Sequence, residues 1–130
     1  MKLESSKKIV QKSAEHIFNA ISDVKRFESL MPENVAKFEV LSDDSFVFGL
    51  KGMPEIKLKF IEKIPTNKVV LGAAGGPIPF ALTANIKGIS ENSSEIFLNF
   101  DGEINAMMAM MVKAPLTKFL ETLVENADKL

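Results

Sequence analysis

The side chains with the most distinctive chemistry here are soft rather than charged. Met107, Met108, Met110 and Met111 crowd the first half of one predicted helix, and ten Phe, with no Trp or Tyr, supply every aromatic ring. Methionine has three rotatable bonds and a polarisable sulfur, so it fits varied apolar shapes. Phenylalanine brings area without a hydrogen-bonding tip. Together they suit the holding of a hydrophobic molecule by shape. Phe46, Phe48, Leu58, Phe60, Leu71, Phe80, Leu82, Ala84, Leu98 and Phe100 take inward strand positions. There they would face Met107, Met108 and Met111 across a pocket, with the small residues Ala73, Ala84 and Gly102 leaving room. The same residues admit a filled core, in which the methionines occupy that space themselves. Burying a Phe or Met is worth about 1.5–3 kcal/mol, and a cavity forfeits part of that. An open chamber in so small a core therefore needs a reason, and ligand binding supplies one.

Polar chemistry is thin. His16 is the only histidine, so Ser–His–Asp and multi-histidine metal arrangements lack parts. It falls off the apolar stripe of its helix and reads as a solvated residue. There is no cysteine, which excludes disulfides, thiolate metal sites and cysteine nucleophiles and fits a reducing, cytoplasmic setting. Asp101 and Glu103 share a strand face, and Asp43–Asp44 occupy a turn. Such pairs serve acid–base or metal chemistry, but beside lysines on a wet face they read as solvated. No metal and no cofactor is expected. Glu62 is the one weak catalytic candidate. Unbroken alternation with Leu58 and Phe60 points it inward, and the competing reading is a strand end already in water. GAAGGPIP (Gly72–Pro79) lacks the GK[ST] ending of a phosphate loop and leads into a strand, so it reads as a hairpin connection.

These residues need elements to hold them. With 130 residues, 46% hydrophobic and 25% charged, the chain is expected to form one domain, 1–130. Net charge is −1 with Lys and Glu interspersed, which builds no footprint for nucleic acid. No run approaches the ~20 apolar residues of a membrane span, and no integral membrane segment is expected. The segment Asn105–Leu130 predicts a long helix. Leu116, Phe119, Leu120, Leu123, Val124, Ala127 and Leu130 make one face, charged residues fill the other, and Asn105 is a good cap. Pro115 removes one internal hydrogen bond, so a single bent helix is expected rather than two.

Leu3–Lys12 predicts a strand. Ser13 caps a short helix, Ala14–Val24, with Ile17, Phe18, Ile21 and Val24 as its stripe, and a second short helix, Lys25–Met31, stops at Pro32. From Val35 the period becomes two. Six strands follow, carrying Phe38, Phe46, Phe48, Ile56, Leu58, Phe60, Leu71, Phe80, Leu82, Ala84, Leu98, Phe100 and Ile104. SDDS, GMPE, PTNK, GGPIP and SENSS punctuate them. A bulge at Phe60–Ile61 is plausible, since two apolar residues stand side by side there. One oily sheet face needs cover, and only the last helix is long and apolar enough to give it.

The order of strand, two short helices, six-strand meander and long helix resembles the helix-grip superfamily of START, polyketide-cyclase and birch-pollen-allergen-like proteins. AEHIFNAISDVKRFESLMP (Ala14–Pro32) and PLTKFLETLVENADKL (Pro115–Leu130) carry the likeness locally. It implies an α+β fold, a curved antiparallel seven-stranded sheet wrapped around the C-terminal helix. It also implies a lipid, quinone, isoprenoid or polyketide-like molecule held between them. Phe27, Leu30, Met31, Met53, Pro54 and Ile78 would then rim the mouth. Two other classes stay open: a polyketide cyclase or dehydratase, which needs an acid or base in the cavity, and a protein-interaction module with a filled core. Outward Val47, Val70 and Phe97 are where a homodimer would form.

Overall fold

The computed structural model describes residues 1–31, 35–50, 55–74, 80–103 and 105–130. The rim candidates Met53, Pro54 and Ile78, and the strand residue Ile104, lie outside them. Two short strands, β1 (Lys2–Glu4) and β2 (Lys8–Val10), replace the single expected strand. Both pair with the same neighbour, and Ser5, Ser6 and Lys7 stand where that neighbour has only Phe97 and Leu98. Ser5 keeps the ladder intact: its N–H donates to Leu98 O at 2.8 Å, and its hydroxyl accepts from Leu98 N at 2.8 Å. Ser6, pushed out by the extra residue, donates through N and Oγ to Glu121.

Helix α1 (Ala14–Ile21) is capped by Ser13, whose hydroxyl accepts from His16 N at 3.1 Å. It ends short of the expected Val24 because Asp23 caps a new helix, α2 (Val24–Phe27), accepting from Lys25 N at 2.9 Å. A 3₁₀ turn, Glu28–Leu30, completes the second helical piece. Six strands then meander: β3 (Val35–Ser42), β4 (Ser45–Leu50), β5 (Ile56–Ile64), β6 (Lys68–Ala73), β7 (Phe80–Ser90) and β8 (Ser93–Gly102). Each is antiparallel to the next. The sheet order is β1-β8-β7-β6-β5-β4-β3, with β2 continuing β1 along β8.

Helix α3 (Ala106–Glu125) is capped by Asn105, which accepts from Met108 N at 2.9 Å. It runs through Pro115 without a break and finishes in a 3₁₀ turn, Asn126–Lys129. The predicted stripe Leu116, Phe119, Leu120, Leu123, Val124, Ala127 and Leu130 is buried throughout. It packs with Ile17, Ile21, Val24 and Phe27 against the inner row Phe46, Phe48, Leu58, Leu71, Leu82, Ala84, Leu98 and Phe100. This is the expected helix-grip arrangement, in which the sheet's oily face is covered by helices. Asn126 Nδ2 donates to Leu30 O at 2.9 Å and ties the end of α3 to the 3₁₀ turn. Among the described residues, no helix is long and apolar enough to cross a membrane.

Candidate functional site

The inner face divides into two halves. Under α1 and α2 it is filled: Phe46 is fully buried, stacks on Phe38 and meets the tilted ring of Phe27, each at 5.2 Å between centroids. Leu71, Ala84 and Leu98 belong to the same packed cluster, while Phe60 is half-buried against it. Under the middle of α3 the packing leaves a void of about 20 Å³. Its walls are Phe48, Ile56, Leu58, Phe80, Leu82 and Phe100 from the sheet, and Leu116, Phe119 and Leu120 from the helix. Every wall is hydrocarbon. Such a space is about the size of one water, yet it offers no polar partner to hold one.

Two ring pairs shape the void. Phe48 stacks on Phe119 at 4.9 Å with planes 10° apart, and Phe80 stacks on Phe100 at 5.6 Å with planes 25° apart. Gly102 serves the second pair. A Cβ there would lie 3.0 Å from the Phe100 ring and 3.1 Å from Phe80 Cβ. The room that Gly102 was expected to leave for a ligand is thus taken by the Phe100 ring.

Of the pocket residues read from sequence, Phe48, Leu58, Phe80, Leu82 and Phe100 border the void. Phe46, Phe60, Leu71, Ala84 and Leu98 belong to the packed half, because α1 and α2 occupy the concavity there. Phe27, Leu30 and Met31 are buried core residues rather than a rim, and none touches the void. Ile56, Leu116, Phe119 and Leu120 were not singled out as site residues. Their signal was present: Ile56 shares the parity of Leu58, and the other three lead the buried stripe of α3.

The methionines require a correction. Met107 is 75% exposed, Met110 85% and Met111 72%, and Met108 is half-exposed. None borders the void. The helical phase set by Leu116 and Phe119 turns Ala109 and Val112 toward the sheet and Met107, Met110 and Met111 away from it. Among the described residues, Val112 alone of those before Leu116 in α3 packs on the core.

Glu62 also lies elsewhere. Phe60 pairs with Leu71, but Glu62 pairs with Val70, a register shift that inserts Ile61 as the bulged residue. One extra residue reverses side-chain parity. Glu62 therefore shares the outer face with Val70 and is exposed. Asp43, Asp44, Asp101 and Glu103 are exposed as expected. Val47 is buried on the outer face at 3% exposure, so it offers no surface for association. Phe97 is half-buried with Lys7 Nζ 5.5 Å above its ring.

A basic row holds the far end of α3. Lys8 Nζ donates to Glu125 O at 2.8 Å and pairs with Asp128 at 2.7 Å, and Lys12 Nζ donates to Asp128 O at 2.8 Å and to Leu130 O. His16 Nε2 lies 3.0 Å from Leu130 O, so this histidine is exposed but not idle. Cations beside the last carbonyls of a helix also offset its dipole. The second half of α3 is fastened on several sides; among the described residues, the first half has only Val112 on the core.

Neither the models of protein families nor the curated proteins match this sequence. Solved structures do. Norcoclaurine synthase from Thalictrum flavum aligns over 99% of this chain and 84% of its own, with TM-score 0.76 and 16% identity. The same enzyme in complex with dopamine and hydroxybenzaldehyde aligns with TM-score 0.73, 16% identity and the same 99% and 84% coverage. A START superfamily protein from Mycobacterium smegmatis aligns over 98% of this chain and 94% of its own, with TM-score 0.72 and 12% identity. At these identities the shared property is the helix-grip fold.

Proposed function

We propose that this protein binds a small apolar molecule, of lipid, quinone, isoprenoid or polyketide-like character, between α3 and strands β4, β5, β7 and β8. The observation that carries this reading is the void walled entirely by carbon, at the place where a helix-grip fold keeps its helix against its sheet. Selectivity would come from shape, since polar handles are missing. At about 20 Å³ the void is a starting point, and the ligand must widen it. The structure of α3 is compatible with that: from Leu116 onward one face is buried and clamped, while before Leu116, among the described residues, only Val112 packs on the core. Widening the void means lifting Leu116, Phe119 and Leu120 off the sheet, and Leu116 is the wall nearest the first half of the helix. The cyclase reading asks for an acid or base inside, and none of the lining side chains ionises.

Dodecanol is a suitable probe. Titrated against protein with labelled methyl groups, it should shift Ile56, Leu82, Leu116 and Leu120 first. Leu116→Phe, which fills the void, should weaken the effect at least tenfold. Absence of saturable binding, or shifts confined to the outer sheet face, would dispose of the proposal. Native mass spectrometry after detergent-free purification then tests for an apolar adduct.

A further inference from the structure

The chain has seven methionines and no cysteine, so its sulfur chemistry is that of thioethers alone. Their settings differ sharply. Met107, Met110 and Met111 are 75%, 85% and 72% exposed, whereas Met31 is 8% exposed and belongs to the core. Met1 and Met108 are half-buried. With Leu116, Phe119, Leu120 and Leu123 on the buried side, a helical step of about 100° gathers the three exposed residues on the far face of α3. A thioether reacts with oxidants through a sulfur lone pair, and its product carries a strong hydrogen-bond acceptor. Where water reaches the sulfur, the new oxygen is solvated as it forms. At Met31 the same oxygen would form out of reach of water, which costs free energy.

We propose that Met107, Met110 and Met111 form an oxidation site, each converted to its sulfoxide by an oxidant of the peroxide class while the fold stays intact. The sulfur lone pair attacks one peroxide oxygen, and the O–O bond breaks as the S–O bond forms. Sulfur gives up two electrons. The other oxygen takes the proton of the attacked one and leaves as water. One thioether and one hydrogen peroxide thus give one sulfoxide and one water. Among the described residues, α3 before Leu116 rests on the core through Val112 and not through these three side chains. Each added oxygen is therefore a surface change, of the kind a folded domain tolerates. The three act on one face, so their effects add. Together they turn its apolar end polar, continuing the charge that Lys118, Glu121 and Glu125 carry further along it.

Hydrogen peroxide added to the folded full chain tests this, with N-acetylmethionine amide in the same tube as the fully accessible reference. Peptide mass spectrometry over time should show one oxygen on each of the three residues at a rate within about threefold of the reference. Met31 should lag them by about tenfold or more. The melting temperature of the oxidised protein should stay within about 3 °C of the parent's. Retention on a phenyl matrix should fall as the oxygens are added. The triple variant Met107→Leu, Met110→Leu, Met111→Leu keeps the apolar face without its sulfurs, and circular dichroism checks its fold. Its retention should survive the same treatment. Met31 reacting as fast as the three would overturn the proposal. So would the three reacting about tenfold or more below the reference, which would mean that the face is covered in solution. Oxidation that melts the protein, or that leaves retention unchanged, would do the same, as would a triple variant whose retention falls like the parent's.

Discussion

The rings of Phe48 and Phe119 lie almost flat on each other, with centroids 4.9 Å apart and planes 10° from parallel. One belongs to β4 and the other to α3, so the stack fastens helix to sheet beside the void. Phe119→Ala should cost about 3–5 kcal/mol and enlarge the chamber. Urea unfolding with and without saturating benzene measures both effects. Benzene should stabilise the variant more than the parent protein. An equal response would mean that the site collapses when the ring is removed.

Gly102 gives Phe100 its place. Gly102→Ala puts a methyl 3.0 Å from that ring and 3.1 Å from Phe80 Cβ, on neighbours that are themselves packed. A loss of about 1–3 kcal/mol is expected from this overpacking. Dodecanol affinity should change with it, because Phe80 and Phe100 both line the void. Gly72→Ala makes a useful control. Its nearest obstacle is the tip of Ile61, a side chain 59% exposed that can swing away. Thermal melts of the two variants should therefore differ clearly, with Gly72→Ala the milder.

Glu62 sits on the wet side of the bulge. Glu62→Gln should leave stability within about 0.5 kcal/mol of the parent and leave dodecanol binding unchanged. A marked change in binding, measured by the same methyl titration, would place that carboxylate inside after all.

Asn126 satisfies the carbonyl of Leu30 across a partly buried junction. Asn126→Ala leaves that oxygen without its partner and should cost about 1–3 kcal/mol. Hydrogen exchange should show the loss concentrated at α2 and the Glu28–Leu30 turn. Uniform loss of protection would instead mean that the contact supports the whole domain.

Pro115 is exposed within α3 and cannot donate to Met111 O. Pro115→Ala restores that donor and should raise stability, by at most about 3 kcal/mol. A lower melting temperature would show that the proline shapes a contact rather than loosening one.

The strand alternation carried most of the inner wall: Phe46, Phe48, Leu58, Leu82 and Phe100 fall where a period of two puts them. The bulge at Ile61 is different in kind. Two adjacent apolar residues permit it, but only the pairing with Val70 decides that Glu62 turns outward. Likewise, the split between β1 and β2 depends on Glu121, far along the chain, receiving Ser6. The methionines were legible and misread. Four of them around a short stretch define no face by themselves, but extending the phase of Leu116 and Phe119 backward puts Met107 on the far side. Which half of the concavity stays empty depended on where α1 and α2 pack, and no local pattern encodes that.

Lys8 in β2 and Lys12 just after it, with Ser6 before them, grip a helical end more than a hundred positions away, and β1 and β2 pair with a strand nearly as distant. These lysines and strands thus precede the partners named here by most of the described residues and lack them until β8 and α3 have been synthesised. Their docking is a late event, governed by loop closure over a long span. Until then the rim of β8 stays open to a neighbouring nascent chain, and crowding on a polysome is the condition under which this protein is most exposed to going wrong.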